Sequence, residues 1–251
     1  MPEAEPAYLQ ELQRQRAVWE RKPVLRLLYR HWHERIAGAL SVHRPVLEIG
    51  AGCGNFKEYF RDCVATDICK SGPWIDRVLN AEELDLPPRS VGNFVVFDCL
   101  HHLSRPLRFL RAAAAALVPG GRLAVCEPAA TPWARLVYGL FHHEPCDLTC
   151  DVFAADAGRS QPGFSNQAVP ELLFWRKLPR TLAAVPDLRL LSRTKFACLL
   201  YPLTGGFSYR RFVPAFGFRT ALRIEDFLNR PFASWLTGLR MLVVLERKAA
   251  P

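Results

Sequence analysis

Apolar residues recur along residues 23–40 at the three- and four-residue spacing of a helix, with Val24, Leu27, Leu28, Trp32, Ile36 and Leu40 on one face. Pro23 suits the first turn of that helix. A shorter helix is expected upstream, from Tyr8 to Trp19. After Pro45 the pattern changes to short apolar runs. VLEIG reads as a buried strand entering the turn AGCGN, FKEYFRD as a helix, CVATDI as a second strand and RVLN as a third. GNFVVFD is apolar at successive positions, as a central parallel strand covered on both faces must be. Ser104 is placed to cap a helix over PLRFLRAAAAALV, which stops at Pro119-Gly120-Gly121 before a fifth strand, RLAVCEP.

Strand and helix alternate at the spacing of βαβ units. The pattern therefore predicts an α/β fold with a doubly wound, seven-stranded, mostly parallel sheet. Residues 129–186 interrupt it, being rich in Pro, Gly, His and Cys, with one helical stretch near 169–178. LRLLSRTKFACLLY reads as the sixth strand, FSYRRFVPAF and RIEDFLN as short helices, and LRMLVVLERK as the closing strand. In domain terms, residues 1–43 form a helical cap and 44–251 the main domain, with insertions near 129–186 and 204–238.

Composition narrows the class. Of 251 residues, half are hydrophobic and 23% charged, which suits a globular chain and argues against wholesale disorder. Arg or Lys interrupts every apolar run before the ~18 residues that a membrane span needs. The acidic, then polar opening MPEAEPAYLQELQRQR is not a secretory signal. Eight Cys without a CxxC do not make a disulfide framework at this length, so a reducing cytoplasm is the expected home. The net charge of +9 is spread along the chain, with no block of five like charges. There is no basic stretch interleaved with aromatics of the kind that binds single strands, which argues against a nucleic-acid partner.

Glycines 50, 52 and 54 lie where the first strand turns into a helix. Missing side chains there let a ligand approach the backbone, and the helix start offers free N–H groups. Glu48 is placed to meet an ammonium group. The GxGxG spacing is not the dinucleotide pattern GxGxxG, which disfavours a nicotinamide enzyme. Asp67 closes the second strand, where doubly wound sheets place a ribose-binding acid.

VLEIGAGCGNF, VATDI, NAEELDLP, VVFDCLHHL and LVPGGRLAVCEP resemble, in order, the motifs of class I S-adenosylmethionine-dependent methyltransferases, with their Rossmann-like fold. The likeness is to the small-molecule branch typified by ubiquinone and menaquinone methyltransferases, and it spans residues 45–128. It implies S-adenosylmethionine as methyl donor, with Glu48, Gly50 and Gly52 around its methionine end and Ala51 and Gly54 also among the donor-binding residues. It also implies Asp67 on the ribose, Ala81 and Glu82 beside the adenine, and a Cys99 carbonyl at the donor's amino group. Asn80 replaces the Asp often found before that alanine, and Gly72-Pro73 suggests that the helix between the second and third strands shrinks to a turn. No (N/D/S)PPY follows the fourth strand, which lowers the prospect of base methylation.

The acceptor side is less defined. HHEPCDLTC spans residues 142–150, and a loop lining the acceptor pocket suits it better than a metal centre, because Pro145 breaks the helix that would align His142, Cys146 and Cys150. No metal is expected. His142 or His143 is the expected base for a hydroxyl acceptor, oriented by Glu144 or Asp147, with His101 in reserve and His102 beside it. The expected reaction is methyl transfer to a small or lipid-like acceptor. A non-catalytic donor-binding subunit and an RNA methyltransferase are the alternatives. Phe207, Tyr209, Phe212, Phe216, Phe218, Phe227, Phe232 and Trp235, with Arg210, Arg211, Arg219 and Arg223, could pack the sheet, line a pocket or rest peripherally on an anionic membrane.

Overall fold

The computed structural model describes residues 6–141, 144–154, 164–209 and 217–249. Its strands are β1 (Val46–Ile49), β2 (Cys63–Asp67), β3 (Arg77–Val78), β4 (Val91–Phe97), β5 (Leu117–Pro128), β6 (Leu188–Phe196) and β7 (Arg240–Arg247). They form one sheet in the order β3-β2-β1-β4-β5-β7-β6. Strands β1 to β5 pair in parallel, and only β7 runs against its neighbours β5 and β6. Chain order reverses at β1, which pairs with β2 on one side and β4 on the other. The crevice beyond the C-terminal ends of β1 and β4 is where such sheets bind ligands.

Period-two alternation sorts the strand residues onto two faces. Leu47, Ile49, Phe94, Val96, Leu123, Val125, Val243 and Leu245 pack into the core under α4 (Pro106–Ala116) and α6 (Val169–Glu171), which runs on as a wide turn through Leu172–Arg176. Val46, Val95, Ala124, Cys126, Leu242 and Val244 face α1 (Pro6–Arg21), α2 (Pro23–Ala39) and α3 (Asn55–Tyr59). The two N-terminal helices thus share a core with the sheet, through Trp19, Leu28, Trp32 and Ile36.

Several elements differ from the sequence expectation. Ser104 does not cap α4. The residue before the helix is Arg105, and the Ser104 hydroxyl instead donates to Glu82 Oε1 at 2.7 Å. Strand β5 begins at Leu117, not Arg122, because Leu117 pairs with Val91 across a register shift and carries Pro119-Gly120-Gly121 into the ladder. The sixth strand stops at Phe196, where Ala197 adopts a φ of 62° and turns the chain into α8 (Leu200–Thr204). Helix α5 (Pro132–Phe141) lies in the stretch read as irregular, burying Ala134, Val137 and Tyr138 at helical spacing. Helix α7 (Leu178–Ala184) follows α6, and α9 (Phe218–Leu228) and α10 (Pro231–Thr237) lead into β7. The helix expected over FSYRRFVPAF falls largely on residues 210–216, outside the described residues, and with it Arg210, Arg211, Phe212 and Phe216.

Between β2 and β3 the chain makes a turn and no helix. Trp74 fills the space, its Nε1 donating to the Gly52 carbonyl at 3.0 Å and its ring lying under the Arg16 guanidinium.

Candidate active site

The glycine turn is stitched to β2 before any ligand arrives. The Ala51 amide donates to the Thr66 carbonyl at 2.9 Å, and the Thr66 hydroxyl donates to the Glu48 carbonyl at 2.7 Å. Two of the three glycines serve the protein's own packing. A Cβ at Gly50 would fall 2.4 Å from Cys99 Sγ, and one at Gly54 would fall 2.6 Å from the Trp74 ring. Gly52 is different. Its φ of 53° favours glycine, but the nearest atom to an added Cβ is Leu12 Cδ2 at 3.6 Å. Room beside this backbone is left for something other than the protein.

Two acids flank that room. Glu48 is 3% exposed, and its Oε2 has no hydrogen-bond partner in the protein. Burial, and then the neighbouring Asp67 charge, push its carboxyl up to about 8. An unpartnered buried carboxyl costs roughly 1–3 kcal/mol, which an ammonium group in hydrogen-bond reach would offset. Asp67 accepts from the Gly52 amide at 2.8 Å through Oδ2 and faces the Tyr8 hydroxyl at 3.4 Å through Oδ1. An orphaned acid, an open glycine and a strand-end carboxylate match the ammonium, backbone-contacting and ribose portions of S-adenosylmethionine, so the residues present fit the donor that the motifs imply.

Sequence reasoning missed the cover. Tyr8 and Leu12 bring α1 across the turn, and Arg16 donates to the Cys53 carbonyl at 3.2 Å. The helix is anchored at Glu58, whose carboxylate meets Trp19 Nε1 at 3.0 Å, Arg16 at 3.2 Å and Arg26 at 2.5 Å. By sequence Tyr8 to Trp19 reads only as a short helix, because its partners lie 37 or more residues away.

Ala81 and Glu82 open a single turn after β3, begun by the Asn80 side chain accepting from the Glu82 amide at 3.0 Å. The Glu82 carboxylate is buried against Ser104 and Arg105, so its own contacts lie within the protein.

On the acceptor side, Glu127 at the end of β5 accepts from the Cys99 and Leu100 amides at 2.8 and 2.7 Å. Its other oxygen meets His101 Nδ1 at 2.6 Å. His101 Nε2 and His102 Nε2 approach the two oxygens of Glu144 at 3.4 and 3.5 Å. Burial alone would lower the His101 pKa, but Glu127 and then Glu144 push it up to about 10. Both ring nitrogens of His101 thus face carboxylates, which favours the charged imidazole. Burial and the His101 charge push His102 down to about 4. His142 and His143 lie outside the described residues. Glu144 does reach the site, whereas the Asp147 carboxylate accepts from the amide and hydroxyl of Thr149. Cys146 and Cys150 pack beside the core under α4 and α6. Arg240 pairs with Asp98 beneath this edge, between the rings of Trp32 and Phe97.

Residues 19–156 match a protein family described as a methyltransferase domain. No curated protein matches the chain. Among solved structures, a SAM dependent methyltransferase from Archaeoglobus fulgidus is 17% identical, with a TM-score of 0.52 over 88% of this chain and 94% of that one. A chain of the Haloferax volcanii complex between the Trm112 methyltransferase activator and a putative methyltransferase is 12% identical, with a TM-score of 0.56 over 98% and 100%. A putative methyltransferase from Bacillus halodurans is 13% identical, with a TM-score of 0.50 over 86% and 99%. These likenesses establish a shared fold.

Proposed function

The chain belongs to the methyltransferase-domain family as a class I S-adenosylmethionine-dependent methyltransferase, and from that premise we propose that it methylates a small, lipid-like acceptor reached from a membrane surface. The donor brings an electrophilic methyl group on a sulfonium. The protein's part is to hold that group in line with the acceptor and to exclude water. Glu48, the Gly52 backbone and Asp67 are assigned to the donor, and α1 to covering it.

The observation that carries the acceptor class is an apolar shoulder at the same edge of the sheet. Pro128 at the end of β5 pairs with Arg240 at the start of β7, so α5 leaves the sheet where α10 enters it. The two helices pack together and expose Leu136, Leu140, Phe141, Trp235 and Leu236. Tyr209 stands edge-on to Phe141 with ring centroids 6.1 Å apart. Clustered apolar side chains of this size on a surface mark a binding face. Exposed Arg135 on α5, Arg230 just before α10, and Arg219 and Arg223 on the adjoining α9 outnumber the exposed acid Asp226 of α9, which suits an anionic headgroup layer. No helix among the described residues is long and apolar enough to cross a membrane.

The test is to incubate the protein with methyl-labelled donor and cell lipid extract, then partition the products. Label in the organic phase is expected, and label confined to RNA would refute the proposal. The chain should also sediment with anionic liposomes at low salt, and Leu140→Ser with Trp235→Ser should abolish that.

A further inference from the structure

His101 and His102 are consecutive, yet both rings serve one point. They sit on a single turn, Leu100–His102, with ring centroids 4.1 Å apart. Their Nε2 atoms lie 3.4 and 3.5 Å from the two carboxylate oxygens of Glu144, and the three ligand atoms fall within 4.8 Å of one another. A charged N–H···O bond in a protein settles at about 2.7–2.9 Å. The same His101 ring makes a contact of that kind through its other nitrogen, 2.6 Å from Glu127. The Nε2 separations are too long to be its equal. They do match the distance between two ligands across a tetrahedral metal: bonds of about 2.0–2.1 Å put neighbouring donor atoms about 3.3 Å apart.

The surroundings are those a metal site requires. A ligating imidazole gives its second nitrogen to a carboxylate or a backbone carbonyl, which fixes the tautomer and aims the first. Here His101 Nδ1 is held by Glu127, itself fixed by the Cys99 and Leu100 amides, and the His102 ring hydrogen-bonds the backbone of Phe164. Glu144 Oε2 accepts from Gln167 Nε2 at 3.2 Å. The His102 side chain is 45% exposed, so the cluster opens to solvent on one side. Three protein donors leave room for water or a substrate oxygen, as in catalytic and not structural centres.

We propose that His101, His102 and Glu144 bind a divalent transition metal whose open positions hold an oxygen atom of the acceptor. Two imidazoles and one carboxylate favour zinc, cobalt or iron over magnesium and calcium. The placement fits: Cys99, two residues before His101, packs on Gly50 of the donor turn, so a metal here lies at the sheet edge that carries that turn.

The test uses metal alone on the full chain after chelator treatment. Zinc titrated by calorimetry should bind with one equivalent. Cobalt should give visible d–d absorption without a thiolate-to-metal charge-transfer band. His102→Ala, at an exposed position, and Glu144→Gln should each weaken zinc binding by 100-fold or more, with melting of the metal-free protein nearly unchanged. His101→Ala is buried and is left aside as a folding risk. Absence of an equivalent of zinc, retained affinity in both variants, or a thiolate band placing the metal on cysteines would overturn the site. Donor binding, measured on the same metal-free samples, reports separately on the methyltransferase assignment.

Discussion

Glu82 reaches across 22 positions of sequence to accept the Ser104 hydroxyl at 2.7 Å, and the same oxygen takes the Arg105 amide at 3.0 Å. The acid on the turn after β3 thus supplies the cap that α4 lacks locally. Glu82 and its partners are buried. Removing the acceptor takes a hydrogen bond from the Ser104 hydroxyl and from the Arg105 amide at the start of the helix.

Glu82→Ala should therefore lower stability by about 1–3 kcal/mol, read by chemical denaturation. Glu82→Gln, which keeps one acceptor oxygen, should lose less. Unchanged stability in Glu82→Ala, with donor affinity lost, would make this side chain a donor contact and not a cap.

Glu48 links donor binding to pH. Its carboxyl is pushed from 4.5 up to about 8 by burial and by Asp67. As pH climbs from 4.5 to 8 the unfolded chain releases this proton while the folded chain keeps it, so donor-free stability should fall across that window. An ammonium group favours the ionised acid. Donor affinity should accordingly rise toward pH 8, by at most about tenfold per pH unit. Calorimetry of Glu48→Gln should show weaker binding with that dependence flattened.

Gly52→Ala should separate binding from folding. The added Cβ meets only Leu12 at 3.6 Å, so the expected folding cost is that of the φ of 53°, about 1 kcal/mol. Donor affinity should drop at least tenfold, because the methyl group enters the space left beside the turn. Gly50→Ala, with its Cβ 2.4 Å from Cys99 Sγ, should instead destabilise the fold. Equal donor affinity in Gly52→Ala and the parent chain would remove Gly52 from the donor site.

Glu58→Ala should loosen α1 without unfolding the sheet. It breaks contacts to Trp19, Arg16 and Arg26 at a partly exposed position, worth about 0.2–1 kcal/mol each. Hydrogen exchange along α1 should quicken, and donor dissociation with it. Faster exchange at unchanged donor dissociation would mean that α1 does not cover the donor.

The apolar runs VLEI, VVF and LAVC determined the sheet, since a short run that is apolar at successive positions suits a strand covered on both faces, and that is a local property which tertiary contacts can only reinforce. Glu48, the glycine turn and Asp67 were legible for a related reason: strand ends in a doubly wound sheet meet at one crevice whatever lies elsewhere. What the sequence did not determine was everything that depends on distant partners. Ser104 looked like a local cap until Glu82 claimed it, and α5 was hidden in a Pro- and His-rich stretch whose helix is stabilised by packing against α10. The cover formed by Tyr8, Leu12 and Arg16, and the meeting of His101 and His102 with Glu144 on the far side of α5, were decided only in three dimensions. Spacing along a chain fixes which residues can share a face, but not which surface that face will meet.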